Sequence, residues 1–117
     1  MEPLLNYHGL ADVLPQQDQR HPVWEQQRKT RGFDDTELWN LDVTIAKFIL
    51  PRLIEFRREL TGHPGKLPDP TAWEVILDKM IVTFTWLSQD DNVGDLLPAE
   101  VSEGLGLFIT YYRNLWT

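Results

Sequence analysis

Thr71-Ala72-Trp73-Glu74-Val75-Ile76-Leu77-Asp78-Lys79-Met80-Ile81-Val82-Thr83-Phe84-Thr85-Trp86-Leu87-Ser88 is the stretch that decides the fold. Trp73, Ile76, Leu77, Met80, Ile81, Phe84 and Leu87 recur at steps of three and four, the period of a helix with one face in a core. Val75, Val82 and Trp86 widen that face. Thr71 and Glu74 have capping-box spacing, with Pro70 just outside, so the spacing predicts a helix over 71–88.

Upstream, Gly62-His63-Pro64-Gly65-Lys66-Leu67-Pro68-Asp69-Pro70 reads as a loop, because three prolines and two glycines continue no helix. Before it, Asp34 and Glu37 repeat the capping-box spacing. Leu38, Leu41, Ile45, Phe48 and Ile49 form one stripe, and Trp39, Val43, Ala46 and Leu50 form a second. A helix apolar on two sides lies centrally in a bundle or at a subunit interface. Pro51 removes an amide donor and crowds the carbonyl of Lys47, yet the pattern continues through Leu53, Phe56 and Leu60. The expectation is one helix over about 35–60, kinked at Pro51.

Downstream, Gln89 to Leu97 is a short acidic connection with a turn at Gly94, and Pro98 suits a first helical turn. Val101, Leu105, Phe108, Tyr112 and Leu115 share one face, predicting a helix over about 98–116. Gly104 and Gly106 each cost about 1 kcal/mol relative to alanine inside a helix, which points to a close helix–helix approach or to fraying. No hairpin signal and no internal repeat is present. The fold class is all-α: a small bundle of three main helices spanning 33–117. Residues 1–32 form an amino-terminal arm, partly irregular, with a short helical turn among Leu4, Leu5, Leu10, Val13 and Leu14 before Pro15. A wholly disordered tail is the other reading of that arm.

Composition narrows the function. The chain has 117 residues, a 42% apolar fraction and no cysteine. Disulfides, thiol catalysis and thiolate metal sites are therefore excluded. No run of about 18 apolar residues and no secretion-type start is present, so the expected compartment is a cytoplasm, with no membrane partner. A net charge of −7 argues against double-stranded nucleic acid, whose phosphates need a basic footprint.

Two basic spots interrupt the acidic background: Arg20, Arg28, Lys29 and Arg31 against Glu25, and Arg52, Arg57 and Arg58. Trp24 stands in the first, where it either stacks a base while the cations hold phosphates, or anchors the arm by burial. Asp42, an acid inside the most apolar helix, either faces water or pairs with Arg52, Arg57 or Arg58 from another region or subunit. Candidate ligand- or partner-binding residues are Trp24, Arg28, Lys29, Arg31, Asp42, Arg52 and Arg57. Trp39, Phe108, Tyr111, Leu115 and Trp116 are the candidate oligomer interface, because so apolar an ending packs in the core or closes an interface. His8, His21 and His63 lack ligand spacing, and no phosphate-cradling loop or nucleophile elbow occurs, so no metal, cofactor or catalytic residue is expected.

Three segments together resemble a family of small bacteriophage and prophage proteins. They are Gly32-Phe33-Asp34-Asp35-Thr36-Glu37-Leu38-Trp39-Asn40-Leu41-Asp42 leading to Ile49-Leu50-Pro51-Arg52-Leu53; Trp73 through Ile81; and Glu103-Gly104-Leu105-Gly106-Leu107-Phe108 ending in Leu115-Trp116. The likeness covers about residues 32–117 and leaves the arm outside. It implies a non-enzymatic phage accessory protein of the host bacterial cytoplasm that oligomerises and binds or sequesters a host protein or a small nucleotide-like immune signal. Two alternatives stand beside it. One is a metal-dependent all-α nucleotide hydrolase using Asp42, Glu74 and Asp78; the other is a minor phage structural or assembly protein.

Overall fold

The computed structural model describes residues 9–89 and 96–117; Leu4, Leu5, His8 and Gly94 lie outside that range. The described residues form helices α1 (His21–Arg31), α2 (Thr36–Trp39), α3 (Leu41–Arg58), α4 (Pro70–Leu87) and α5 (Ala99–Tyr111). Short 3₁₀ turns flank them at Gly9–Asp12 and Tyr112–Asn114. No strand occurs among the described residues, so the all-α reading holds.

Three expectations need correction. Residues 21–31, read above as part of an arm without sustained period, form α1. Pro22 sits in its first turn, Arg28, Lys29 and Arg31 in its last, and Gly32 closes it at φ 87° with its N–H donated to the carbonyl of Arg28. The helix buries Trp24 alone, which is why no apolar rhythm announced it.

The single helix expected over 35–60 is two, because Asn40 (φ −127°, ψ 67°) leaves the helical region between α2 and α3. Pro51 lies inside α3 without ending it. The start of α4 is the third correction. Asp69 Oδ1 accepts the amide of Ala72 at 2.8 Å, and Pro70 is the first helical residue rather than a residue outside. The cap therefore falls two residues before Thr71, since Asp69 followed by Pro70 supplies the same capping chemistry.

The core gathers on α4. Trp73, Leu77, Met80 and Phe84 are buried along one face of it, against Ala46, Leu50 and Leu53 of α3. Leu105, Phe108 and Tyr111 of α5 pack against the same cluster, with Phe84 and Phe108 edge to face at 4.9 Å. Thr83 is fully buried and donates its hydroxyl to the carbonyl of Val101 at 3.0 Å, which fixes α5 against α4. Thus α4 is the helix on which both α3 and α5 pack. The Cα radius of gyration is 16.5 Å, against about 13 Å for a compact chain of this length.

Only one of the two glycines in α5 marks a close approach. A methyl group at Gly104 would meet Thr83 and the carbonyl oxygen of Lys79, whereas one at Gly106 would meet open space. Gly106→Ala is therefore expected to raise stability by about 0.7 kcal/mol, through helix propensity alone. Urea denaturation reads this as a higher midpoint at unchanged slope.

Candidate functional site: an open groove beside α3

Beside the core they share with α4, α3 and the end of the chain beyond Phe108 leave an apolar groove between them. On α3, Thr44, Ile45, Phe48, Ile49, Arg52, Leu53 and Phe56 form one wall of a groove. Phe108 of α5, with Tyr112 and Leu115 just beyond it, forms the other. The groove measures about 560 Å³ and is mostly apolar. Ile45 is 48% and Phe48 57% exposed, so these are large apolar side chains facing water in the single chain. Arg52 is the cation of the wall. Its guanidinium carbon lies 3.8 Å from the centre of the Phe48 ring, and Nη1 donates to the carbonyl of Phe48 at 2.9 Å. A guanidinium held flat on an aromatic ring keeps a charge at the lip of an apolar surface.

The basic spot near the amino terminus is organised differently. Arg28 Nη1 meets Asp34 Oδ2 at 2.6 Å, Arg31 Nη2 meets Asp35 Oδ1 at 2.6 Å, and Lys29 Nζ lies 3.3 Å from Glu25. Each cation thus has its own carboxylate. Hydrogen bonds from Gln27 and then Arg31 hold the Asp35 carboxyl below the usual carboxylate range. Trp24 is 3% exposed, edge-on to Trp39 at 5.9 Å and to His21 at 5.0 Å. Of its two readings, the anchor is the one the structure takes; an indole so enclosed has no face for a base.

The acids do not converge either. Arg57 stands between Glu74 and Asp78, with Nε 3.0 Å from Asp78 Oδ1 and Nη2 3.7 Å from Glu74 Oε2. These acids in turn raise the Arg57 guanidinium above its ordinary range. Asp42 is exposed on the first turn of α3 and takes no part in that pairing. Among the described residues no group of three His, Cys, Asp or Glu side chains could hold a metal ion. His21 Nε2 and His63 Nδ1 are engaged by the carbonyls of Pro15 and Pro64, at 2.8 and 3.0 Å.

The interface candidates divide. Trp116 and Trp39 are exposed, at 74% and 46%. Phe108 and Leu115 line the groove, but Tyr111 turns to the chain's own core, tilted on Trp73 at 5.6 Å beneath Lys66. Ile45, Phe48 and Tyr112 were absent from the candidates although they form the groove. A signal for the first two was available: residues 41, 45, 48 and 52 keep a seven-residue rhythm, the mark of a helix–helix seam.

No family model, no curated protein and no solved structure matches the chain. Among the described residues no helix is long and apolar enough to cross a membrane.

Proposed function

We propose that this chain is a non-enzymatic helix-binding protein whose working surface is the groove between α3 and α5. The observation that carries the proposal is the half-exposed Ile45 and Phe48 opposite Phe108 and Tyr112, a wet apolar trough of a size that suits one amphipathic helix. Helix-in-groove recognition needs apolar anchors at three- and four-residue steps and a charge at the rim, which Arg52 supplies. A nucleotide suits the trough less well. Its phosphates call for several cations, and those of α1 are each engaged by a carboxylate of their own.

Within the phage setting that the sequence resembles, the bound helix belongs to a host protein in the bacterial cytoplasm, and its capture is a counter-defence act. The test uses purified wild-type protein and Phe48→Asp as baits in host lysate, followed by native mass spectrometry. Wild type is expected to retain a defined protein partner in fixed ratio, and Phe48→Asp to lose it. Equal capture by both baits, or turnover of nucleotides by the wild type, overturns the proposal.

A further inference from the structure

The exposed edge of α3 carries more order than a hydrophobic patch requires. Leu41, Ile45, Phe48 and Arg52 follow at steps of four, three and four, which aligns them in one narrow stripe. The first three are each about half exposed (48, 48 and 57%). Most charges on the helix are satisfied within the chain: Arg57 by Asp78 and Glu74, Arg58 by Glu55. Asp42 at one end of the stripe and Arg52 at the other have no ion-pair partner among the described residues. They are opposite in sign and about 15 Å apart along the helix axis at 1.5 Å per residue. Such a helix is complementary to itself when reversed.

We infer that the groove takes a second copy of this chain, with the two α3 helices antiparallel about a two-fold axis near Ile45 and Phe48. The inference rests on the groove being a helix-binding surface and names what fills it before a host helix arrives. Ile45 of each copy then opposes Phe48 of the other, and Leu41 opposes Arg52, as antiparallel seams with a seven-residue rhythm require. Asp42 of each copy lies beside Arg52 of the other, once at each end of the seam. A parallel pairing sets Asp42 against Asp42 and Arg52 against Arg52, so charge selects the antiparallel one. A two-fold contact of this kind is isologous, so each copy gives and receives the same side chains. The dimer also hides the groove, and a host helix must displace the second copy to enter.

Sedimentation equilibrium on the full chain tests this. The wild type is expected to run at about twice its 13.7 kDa monomer mass and to dissociate on dilution. Arg52→Asp and Asp42→Arg are each expected to raise the dissociation constant about tenfold, by placing like charges together. The double variant carrying both substitutions restores the opposite-sign pairs and is expected to return to within about threefold of wild type. Both residues are exposed, so circular dichroism of each variant keeps loss of fold apart from loss of pairing. A wild type that stays monomeric at every concentration overturns the inference, and so does a dimer that the double variant fails to rescue. If the wild type is monomeric yet loses its lysate partner through Phe48→Asp, the helix-binding reading stands and this inference falls. If the double variant rescues a dimer while no partner is captured, the reverse holds.

Discussion

Asp34→Ala is expected to destabilise the protein by about 4 kcal/mol, because it strips the partner from a buried charge pair and leaves further donors unmet. Asp34 is fully buried and serves three elements at once. Its Oδ2 takes Arg28 Nη1 at 2.6 Å from α1, and its Oδ1 takes the amide and hydroxyl of Thr36 at 2.8 and 2.5 Å at the start of α2. Thr36 Oγ1 in turn accepts the amide of Ala11 at 3.0 Å from the first 3₁₀ turn. One carboxylate therefore ties residues 9–12, α1 and α2 together. A drop of about 15 °C in melting temperature is the expected readout, at roughly 4 °C per kcal/mol for a chain of this size. Trp24, buried under the same junction, should report it as a red-shifted emission. Asp34→Asn retains an oxygen for Thr36 but not the charge facing Arg28, so its loss should be near half as large. An unchanged melting temperature in Asp34→Ala removes Asp34 from its place as the junction's hub.

Gly104→Ala is the second large effect, and two principles pull it in opposite directions. Helix propensity favours alanine by about 1 kcal/mol. Packing opposes it: the new methyl would sit 2.5 Å from the carbonyl oxygen of Lys79 and closer still to the Thr83 hydroxyl. Neither neighbour is the free end of a flexible chain, since the carbonyl is backbone and Thr83 is held by Val101. Overpacking of this kind costs about 3 kcal/mol, so packing wins and the variant is expected to lose about 2 kcal/mol net. The denaturation midpoint should fall, against the rise expected for Gly106→Ala two residues along the same helix. A Gly104→Ala protein as stable as wild type means that α5 does not lie as close to α4 as described.

How far the fold was legible in the sequence depends on what each helix buries. The helix at 70–87 announced itself, since Trp73, Leu77, Met80 and Phe84 all enter one core and the 3.6-residue period survives. The helix at 21–31 did not, because it buries one tryptophan and takes its remaining order from charge pairs that periodicity ignores. The break at Asn40 was hidden by an apolar stripe that runs through it from Leu38 to Leu41 and Ile45. The site followed the same logic. Counting cations singled out Arg28, Lys29 and Arg31, while their neutralising acids, Asp34, Asp35 and Glu25, stood within six residues in plain view. The doubly apolar character of the helix through Ile45 and Phe48 left a central place in the bundle and a subunit interface open, and one of its two stripes lies on the groove. That Tyr112 would share the groove while Tyr111 turned inward was not legible, since it depends on how the last helix is turned against α4.

The packing of α3 and α5 on α4 also sets an order of opening. The buried core cluster lies on α3 and α4 with α5 packed against it, so these three helices make the most stable unit. The amino-terminal turn and α1 bury only Gly9, Ala11 and Trp24, outside that cluster, and the turn is tied to α2 by the hydrogen bond from Ala11 to Thr36. The amino-terminal turn and α1 are thus the first to open. In native-state hydrogen exchange, the amides of α4 should be the slowest, and those of α1 should exchange ahead of global unfolding.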